Sequence, residues 1–252
     1  MDISDVRHHF DKYAFAWTGF YGGNSISDYV VRSRQAHVLK EVVACTPYRG
    51  VVVEVGCGGG QLLVELAHRR PDLSLLGLDV SIGMLTQAKA AGVESASLAD
   101  ARHPPLGPHT VDTLVAVAVA EYLPDWRLVV ESLSEVIRPG GLLVMTFAHR
   151  RSLLSWVDRE YRNRWQKQKD GSMHRVQVDV AQVRAALTSS GLTVQRITPL
   201  SFDAYCLRYL LDGNPRLTKW VSGTSWQLDR LFVRVPFARI LGRALYVVAQ
   251  KG

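Results

Sequence analysis

The stretch VVVEVGCGGG, residues 51–60, limits the fold of this chain more than any other. An apolar run rich in valine ends in four glycines within five residues (Gly56, Gly58, Gly59 and Gly60). A continuous apolar run is the mark of a strand buried on both faces of a parallel sheet. Glycines placed directly after it let a ligand approach main-chain N–H groups at the turn. The pattern then repeats. Gln61–Arg69 reads as a helix, and LSLLGLD is a strand ending at Asp79. Residues 81–91 are helical, with Met84, Leu85 and Ala88 on one side, and a short strand near 94–98 leads to Asp100. TVDTLVAVAVA (110–120) is another buried strand. DWRLVVESLSEVI is a helix stopped by Pro139-Gly140-Gly141, and LLVMTFA (142–148) is a fifth strand. Such alternation predicts a parallel sheet with right-handed crossovers and helices on both faces. Before the first strand, residues 27–45 place Val31, Val38, Leu39, Val42 and Val43 on one helical face, with Ser27 as N-cap. Later, residues 179–190 read as a helix, and 192–198 and 244–250 as strands.

With 252 residues, 47% hydrophobic and 21% charged, the chain suits one globular domain. It divides into N-terminal lid helices (1–45), a cofactor-binding core (46–148) and a substrate side (149–252) carrying an aromatic-rich insertion, 202–241. No apolar run reaches the ~18 residues that span a bilayer, and MDISDVRHHF lacks the layout of a signal peptide. The three cysteines, Cys45, Cys57 and Cys206, form no CxxC pair, which argues against a zinc site and predicts a reducing, cytoplasmic setting. His8 and His9 are adjacent and point different ways, so no metal site is expected. The net charge of +7 is compatible with an anionic substrate or a membrane surface. Aromatic-stacking motifs of RNA-binding modules are absent, and nucleic acid is not an expected partner.

In a sheet of this kind ligands sit beyond the carboxyl ends of the strands. The dinucleotide fingerprint GxGxxG is broken by Gln61 at its last position, and the phosphate loop GxxxxGK is absent. Glu54 weighs further against a phosphate, because a carboxylate there repels anions and attracts an ammonium. Asp79 ends the next strand, where an acid accepts hydrogen bonds from both ribose hydroxyls. Asp100, in LAD, has the position to accept from an adenine amino group. Three acids at successive strand ends describe a nucleoside carrying an amino acid. Plainer roles stand beside these: Glu54 capping loop amides, Asp79 capping a helix, Asp100 as a loop acid.

On the motifs EVGCGGG (54–60), LLGLDVSIGMLTQAK (75–89), SLADA (97–101), VDTLVAVAVAEYLPD (111–125) and LSEVIRPGGLLVMTF (133–147), the chain resembles the class I S-adenosylmethionine-dependent methyltransferases, of the small-molecule, type 11-like kind. The resemblance is strong over residues 30–148 and weak over the last two strands. It implies an α/β, Rossmann-like, seven-stranded and mostly parallel sheet ordered 3-2-1-4-5-7-6, the last strand antiparallel. It implies that Glu54, Gly56, Cys57 and Gly58 lie at the methionyl part of S-adenosyl-L-methionine and that Asp79 holds the ribose. Val80 and Met84 then flank the adenine, Asp100 with Ala101 reads its edge, and Val117, Ala118 and Val119 lie beside the cofactor. In many relatives an N-terminal segment closes over the cofactor and brings a tyrosine near the methyl. Here FDKYAFAWTGFYGG (10–23) offers Tyr13 and Tyr21, while Phe10, Tyr13, Trp17 and Phe20 also have the spacing of a packed amphipathic helix. Arg34 is a candidate for the cofactor carboxylate.

Methyl transfer from a sulfonium needs alignment and water exclusion, and an oxygen or carbon acceptor also calls for a general base. Glu121, next to Tyr122 after the fourth strand, and His149 after the fifth are the candidates beside Tyr21. A structural hydrogen bond is the plainer role for Glu121, and a surface position beside Arg150 and Arg151 the plainer one for His149. Residues 149–175 hold eight Lys or Arg against three acids, with Leu154, Val157, Tyr161 and Trp165 as an apolar helical stripe. A solvated lid helix accounts for that segment, as does recognition of an anionic or amphiphilic substrate or peripheral contact with a membrane. Phe202, Tyr205, Tyr209, Trp220, Trp226, Phe232 and Phe237 in the insertion suit the walls of a small-molecule site. The expected activity is methylation of oxygen or carbon in a small, largely hydrophobic molecule, such as a natural product (secondary metabolism), an isoprenoid or a lipid. Two alternatives remain open: a methyltransferase-like protein that steers a cyclisation without methyl transfer, and a nicotinamide oxidoreductase, which Glu54 and Gln61 oppose.

Overall fold

The structure, a computed structural model, describes residues 2–18, 26–157, 160, 175–200 and 241–252. Tyr21, the glycines beside it, Tyr161, Trp165 and the aromatic residues of 202–240 lie outside the described residues.

Two helices, α1 (Ile3–Thr18) and α2 (Ile26–Cys45), precede the sheet. Then follow β1 (Val51–Val55), α3 (Gln61–Arg69), β2 (Ser74–Asp79), α4 (Ile82–Ala90), β3 (Ala96–Leu98), β4 (Val111–Ala116), a 3-10 turn (Ala120–Tyr122), α5 (Trp126–Val136) and β5 (Ile137–His149). After a helical stretch over 153–157 come β6 (Gln177–Val178), α6 (Val180–Ser189), β7 (Leu192–Leu200) and β8 (Ala244–Lys251). The strands run β3-β2-β1-β4-β5-β8-β7, with β6 paired to the end of β5. Without β6, this is the expected seven-stranded order. β8 runs antiparallel to both β5 and β7, and the other pairings are parallel.

Strand periodicity sorts the core into two layers. Val53, Val55, Leu114, Leu143, Met145 and Phe147 face α5 and α6, whose Val129, Leu133, Val183 and Leu187 cover them. Val52, Val115, Val144, Tyr246 and Val248 face the other way, onto Val38, Leu39 and Val42 of α2 and Leu62 and Leu66 of α3. The α2 stripe anticipated at 38, 39 and 42 is therefore core. Helix α2 already includes Ile26, so Ser27 lies inside its first turn and is not the N-cap.

Two boundaries differ from the sequence reading. Helix α5 ends at Val136 and the chain enters β5 directly, so Pro139-Gly140-Gly141 lies within β5 and is not a helix stop. The carbonyls at the end of α5 are answered from the 109–110 turn: His109 N–H donates to Glu135 O (3.1 Å) and Thr110 N–H to Val136 O (2.9 Å). The glycines instead absorb a bulge against β4, where Val111 pairs Ile137 but Thr113 pairs Leu142. Strand β4 also stops at Ala116, short of 120. Ala118 takes a left-handed backbone (φ 56°) and donates its N–H to Thr146 Oγ1 at 2.8 Å, which turns the chain out of the sheet.

Candidate cofactor and active site

The glycine turn is folded back over the end of β2. Gly56 and Cys57 N–H groups both donate to Leu78 O, at 2.7 and 3.1 Å. Gly56, Gly58 and Gly60 all have positive φ, but for different surroundings. A Cβ on Gly56 would lie 2.4 Å from Val119 Cγ2, and one on Gly60 2.3 Å from Val93 Cγ2. At Gly58 a Cβ meets nothing within 4 Å. Gly56 and Gly60 are thus demanded by packing. Among the described residues nothing covers Gly58, and it is where the turn presents bare backbone. Cys57 is buried against the space left by Gly77, and burial, followed by the charges of Glu54 and Asp79, pushes its thiol far up. It is a packing group with no thiolate chemistry.

Three acids end three strands, and their surroundings differ. Asp79 is buried, and each of its oxygens accepts a backbone amide: Oδ2 from Gly58 N–H (2.8 Å) and Oδ1 from Ser81 N–H (2.9 Å). Burial raises its pKa, and those amide hydrogen bonds work against the rise. Asp100 is held by Arg102, whose Nη2 donates to Oδ2 at 2.6 Å and whose Nε donates to both oxygens. Arg102 also reaches Asp125 at 3.2 Å, tying the turn after β3 to the start of α5. Burial opposes the Asp100 charge, but the Arg102 bonds outweigh it and hold the carboxyl below its usual value. Glu54 is 7% exposed, and its buried Oε2 has no hydrogen-bond partner among the described residues. Burial, and then repulsion from Asp79, lifts its pKa well above that of an ordinary glutamate. A buried carboxylate in this condition is a site that asks for a cation.

Helix α1 lies across this end of the sheet. Asp11 Oδ1 accepts from Ser81 Oγ (2.6 Å) and from Gly83 N–H (2.9 Å), so it caps the start of α4 from another helix. Ser81 Oγ in turn accepts from Met84 N–H. At its other end α1 feels Arg102, whose charge helps lower the Asp2 carboxyl after the hydrogen bonds from Ser4 and Ile3. Val6 is buried in the cluster that includes Leu78, Ala101 and Tyr122, and Phe10 meets the Tyr122 ring edge-on at 5.1 Å. Met84 is buried in α4, and Val80 packs partly buried on the same cluster as Val6. Tyr13 is on the outer side of α1, 36% exposed, beside His9 and Lys12. Arg34, partly buried on α2, is near enough to act electrostatically on Tyr122.

Beyond β4 and β5 a second group assembles. The Glu121 carboxylate is buried and faces Arg175 Nη1 at 3.4 Å, and its carbonyl accepts from Val176 N–H at 2.7 Å. The Arg175 guanidinium also lies 5.4 Å from the centre of the Tyr122 ring. Burial, more than any neighbouring charge, raises the Tyr122 hydroxyl. β6 therefore straps the end of β4 to the end of β5, where His149 pairs Val178. His149 is buried, not on the surface beside its arginines, and its Nδ1 lies 3.0 Å from Gly242 O. Val117 is partly buried on the α2 side of the sheet.

Gly56, Cys57 and Gly58 are thus hydrogen-bonded to Leu78 and Asp79 at the end of β2, with the Glu54 carboxyl buried beside them and Asp100, Ala101, Ala118, Glu121 and His149 at neighbouring strand ends. Asp11, Arg102 and Arg175 were not anticipated. Arg102 stands two residues from Asp100 and had a local signal; the partners of Asp11 and Arg175 are distant in sequence. Among the described residues no cluster of His, Cys, Asp or Glu has the makings of a metal site. None of the described helices is long and apolar enough to cross a membrane.

Comparison with known proteins agrees with this arrangement. Residues 53–145 match a methyltransferase domain family. A trans-aconitate 2-methyltransferase of Deinococcus radiodurans is 34% identical over 114 residues, 45% of this chain and 43% of that protein. A ubiquinone biosynthesis O-methyltransferase of Chelativorans sp. is 26% identical over 184 residues, 69% of this chain and 72% of that one. The match thus spans less than half of the trans-aconitate enzyme. Among solved structures, magnesium protoporphyrin IX methyltransferase from Synechocystis, with bound SAH, superposes with a TM-score of 0.68 at 16% identity, covering 100% of both chains. A [4+2]-cyclase superposes with a TM-score of 0.64 at 14% identity, covering 98% of this chain and 94% of that one, so the fold alone does not assign a reaction. Domain match, strand order and strand-end acids agree: residues 53–145 form a methyltransferase domain, on the fold that S-adenosylmethionine-dependent methyltransferases share.

Proposed function

We propose that the chain is an enzyme that transfers a methyl group from S-adenosyl-L-methionine to oxygen or carbon of a small, largely hydrophobic or amphiphilic molecule. The observation that carries this reading is the buried Glu54 carboxylate, its Oε2 without a partner among the described residues, beside the open backbone of Gly58. The two fit the ammonium and methionyl part of the cofactor. A phosphate there would meet two acids, Glu54 and Asp79. Asp79 keeps lone pairs for ribose hydroxyls while bracing Gly58 and Ser81, since each carboxylate oxygen accepts more than one bond. Val80, Met84, Ala101 and Val6 supply apolar walls for the adenine. The Asp100 carboxylate is committed to Arg102, so the adenine edge falls to backbone at Asp100 and Ala101.

The cofactor brings a methyl already activated by its sulfonium charge, and the protein's work is to align, to exclude water and to manage one proton. Glu121, held by Arg175, positions the strap and the Tyr122 face of the site. The O-methylating relative favours oxygen as the acceptor atom, and the excess of Lys and Arg over acids in residues 149–175 favours an acceptor with an anionic group. Calorimetry tests the cofactor: S-adenosylhomocysteine binds and NAD does not. Binding of NAD alone would restore the oxidoreductase reading. Release of methylated product from radiolabelled cofactor separates a transferase from a protein that merely holds the cofactor.

A further inference from the structure

His149 ends β5 on the side of the sheet that carries Met145 and Phe147, and it is 5% exposed. Its Nδ1 lies 3.0 Å from Gly242 O, and its backbone N–H donates to Arg243 O at 2.9 Å. A carbonyl oxygen only accepts, so Nδ1 carries the ring proton and the lone pair resides on Nε2. Among the described residues Nε2 has no hydrogen-bond partner. A histidine locked in this way presents a neutral, basic nitrogen in a fixed direction, as a general base requires.

Resting on the methyltransferase reading, we propose that His149 is the general base for a hydroxyl acceptor, a phenol or an enol, bound over the ends of β4 and β5. As the acceptor oxygen bonds to the methyl carbon, the carbon–sulfur bond breaks with its electron pair kept on sulfur. The hydroxyl proton passes to His149 Nε2 and then to water. The imidazolium so formed keeps its Gly242 bond. Asp179, which caps α6, attracts it, while Arg151 repels it and Arg150 offsets Asp179 by pairing with it at 2.7 Å. Burial is the largest influence on the ring and depresses its pKa below 6.5, so the base is ready at neutral pH. Glu121, the rival, is occupied by Arg175 and acts as a positioning residue.

Nuclear magnetic resonance of the 15N-labelled protein, without any ligand, reads the ring directly. The expected His149 signal, assigned by its loss in His149→Asn, is the Nδ1–H tautomer, neutral at pH 7 and titrating below pH 6.5. An Nε2–H tautomer or a charged ring at pH 7 overturns the proposal. Asn places its amide nitrogen where Nδ1 was, so His149→Asn keeps a donor for Gly242 while removing the base. With radiolabelled cofactor and catechol as acceptor, kcat falls about 100-fold or more and the acidic limb of kcat/KM disappears, with S-adenosylhomocysteine affinity unchanged. His149→Gln, which puts an amide near Nε2, is measured alongside, so that a folding defect in one variant is not taken for a lost base. An unchanged rate, a retained acidic limb, or a wild type that binds the cofactor yet methylates no phenol overturns the base. Failure to bind S-adenosylhomocysteine overturns instead the reading on which it rests, and the ring tautomer still reports on His149 by itself.

Discussion

Glu54→Gln separates what the glycine turn costs from what it does. In the free protein Glu54 Oε2 is buried with no hydrogen-bond partner among the described residues, and burial with Asp79 repulsion lifts its pKa well above 4.5. A raised carboxyl pKa means that the folded state holds a proton the unfolded state has released. Stability is therefore complete below about pH 4.5 and is lost as pH rises toward the folded-state value. Glutamine keeps the shape and removes the charge. Glutamine leaves a neutral group equally unsatisfied, so what it removes is the extra cost of a buried charge facing Asp79, about 1–3 kcal/mol, and the free variant should be more stable by roughly that amount near pH 8. For a domain of this size that is about 2–10 °C in Tm, and the gap should close toward pH 5. The cofactor reverses the ranking. A hydrogen bond to a charged group contributes about 1.5–3 kcal/mol, so the variant should bind S-adenosylhomocysteine roughly 10- to 100-fold more weakly. Thermal unfolding at pH 5, 7 and 8, with and without S-adenosylhomocysteine, reads both effects. A free variant no more stable than wild type at pH 8, a gap that does not widen with pH, or unaltered affinity would refute the assignment of Glu54 to a cationic group.

Asp79→Ala leaves the Gly58 and Ser81 amides without their acceptor, and S-adenosylhomocysteine affinity should fall at least as far as in Glu54→Gln; retained affinity in calorimetry would sink the ribose role. Asp11→Ala removes the bonds to Ser81 and Gly83 that dock α1 on α4, worth about 1–3 kcal/mol together. Amide exchange over residues 3–18 should quicken and cofactor release accelerate, and a stopped-flow release rate equal to wild type would show that α1 is not a roof. Gly60→Ala meets Val93 and Ala88 at 2.3 and 3.1 Å as well as a left-handed backbone, whereas Gly58→Ala meets only the backbone term. Chemical denaturation should give about 1–2 kcal/mol for the second and roughly 2–5 kcal/mol for the first. Equal losses would mean that packing at Gly60 is not what demands glycine.

Much of the scaffold was legible because it is built from short-range rules. Val51–Val55, Val111–Ala116 and Leu142–Phe147 are apolar enough to read as buried strands, and the helix stripes on α2 and α4 follow from spacing alone. The errors fall where a distant partner overrules local chemistry. AVAVA reads as one strand through 120, but Thr146, from the neighbouring strand, captures the Ala118 amide and ends it sooner. Pro139-Gly140-Gly141 reads as a helix stop, but the 109–110 turn had already satisfied the helix end. The strand β6 has two residues, too few for any periodicity to show.

The strand-end acids carry the same lesson into the site. Glu54, Asp79 and Asp100 close adjacent strands, and the residue types alone grant each of them a ligand. Their partners sort them. Asp100 is neutralised by Arg102, and Asp79 is answered by two backbone amides; for the Oε2 of Glu54 no partner is present among the described residues. The same kind of group thus serves as a tie between loops, as a brace for the turn and as the seat of an unmet charge. Among the described residues, only the last is left without a group to complete it. The glycine turn beside it is closed by packing at Gly56 and Gly60 and, among the described residues, open at Gly58, so the bare backbone next to that charge is Gly58.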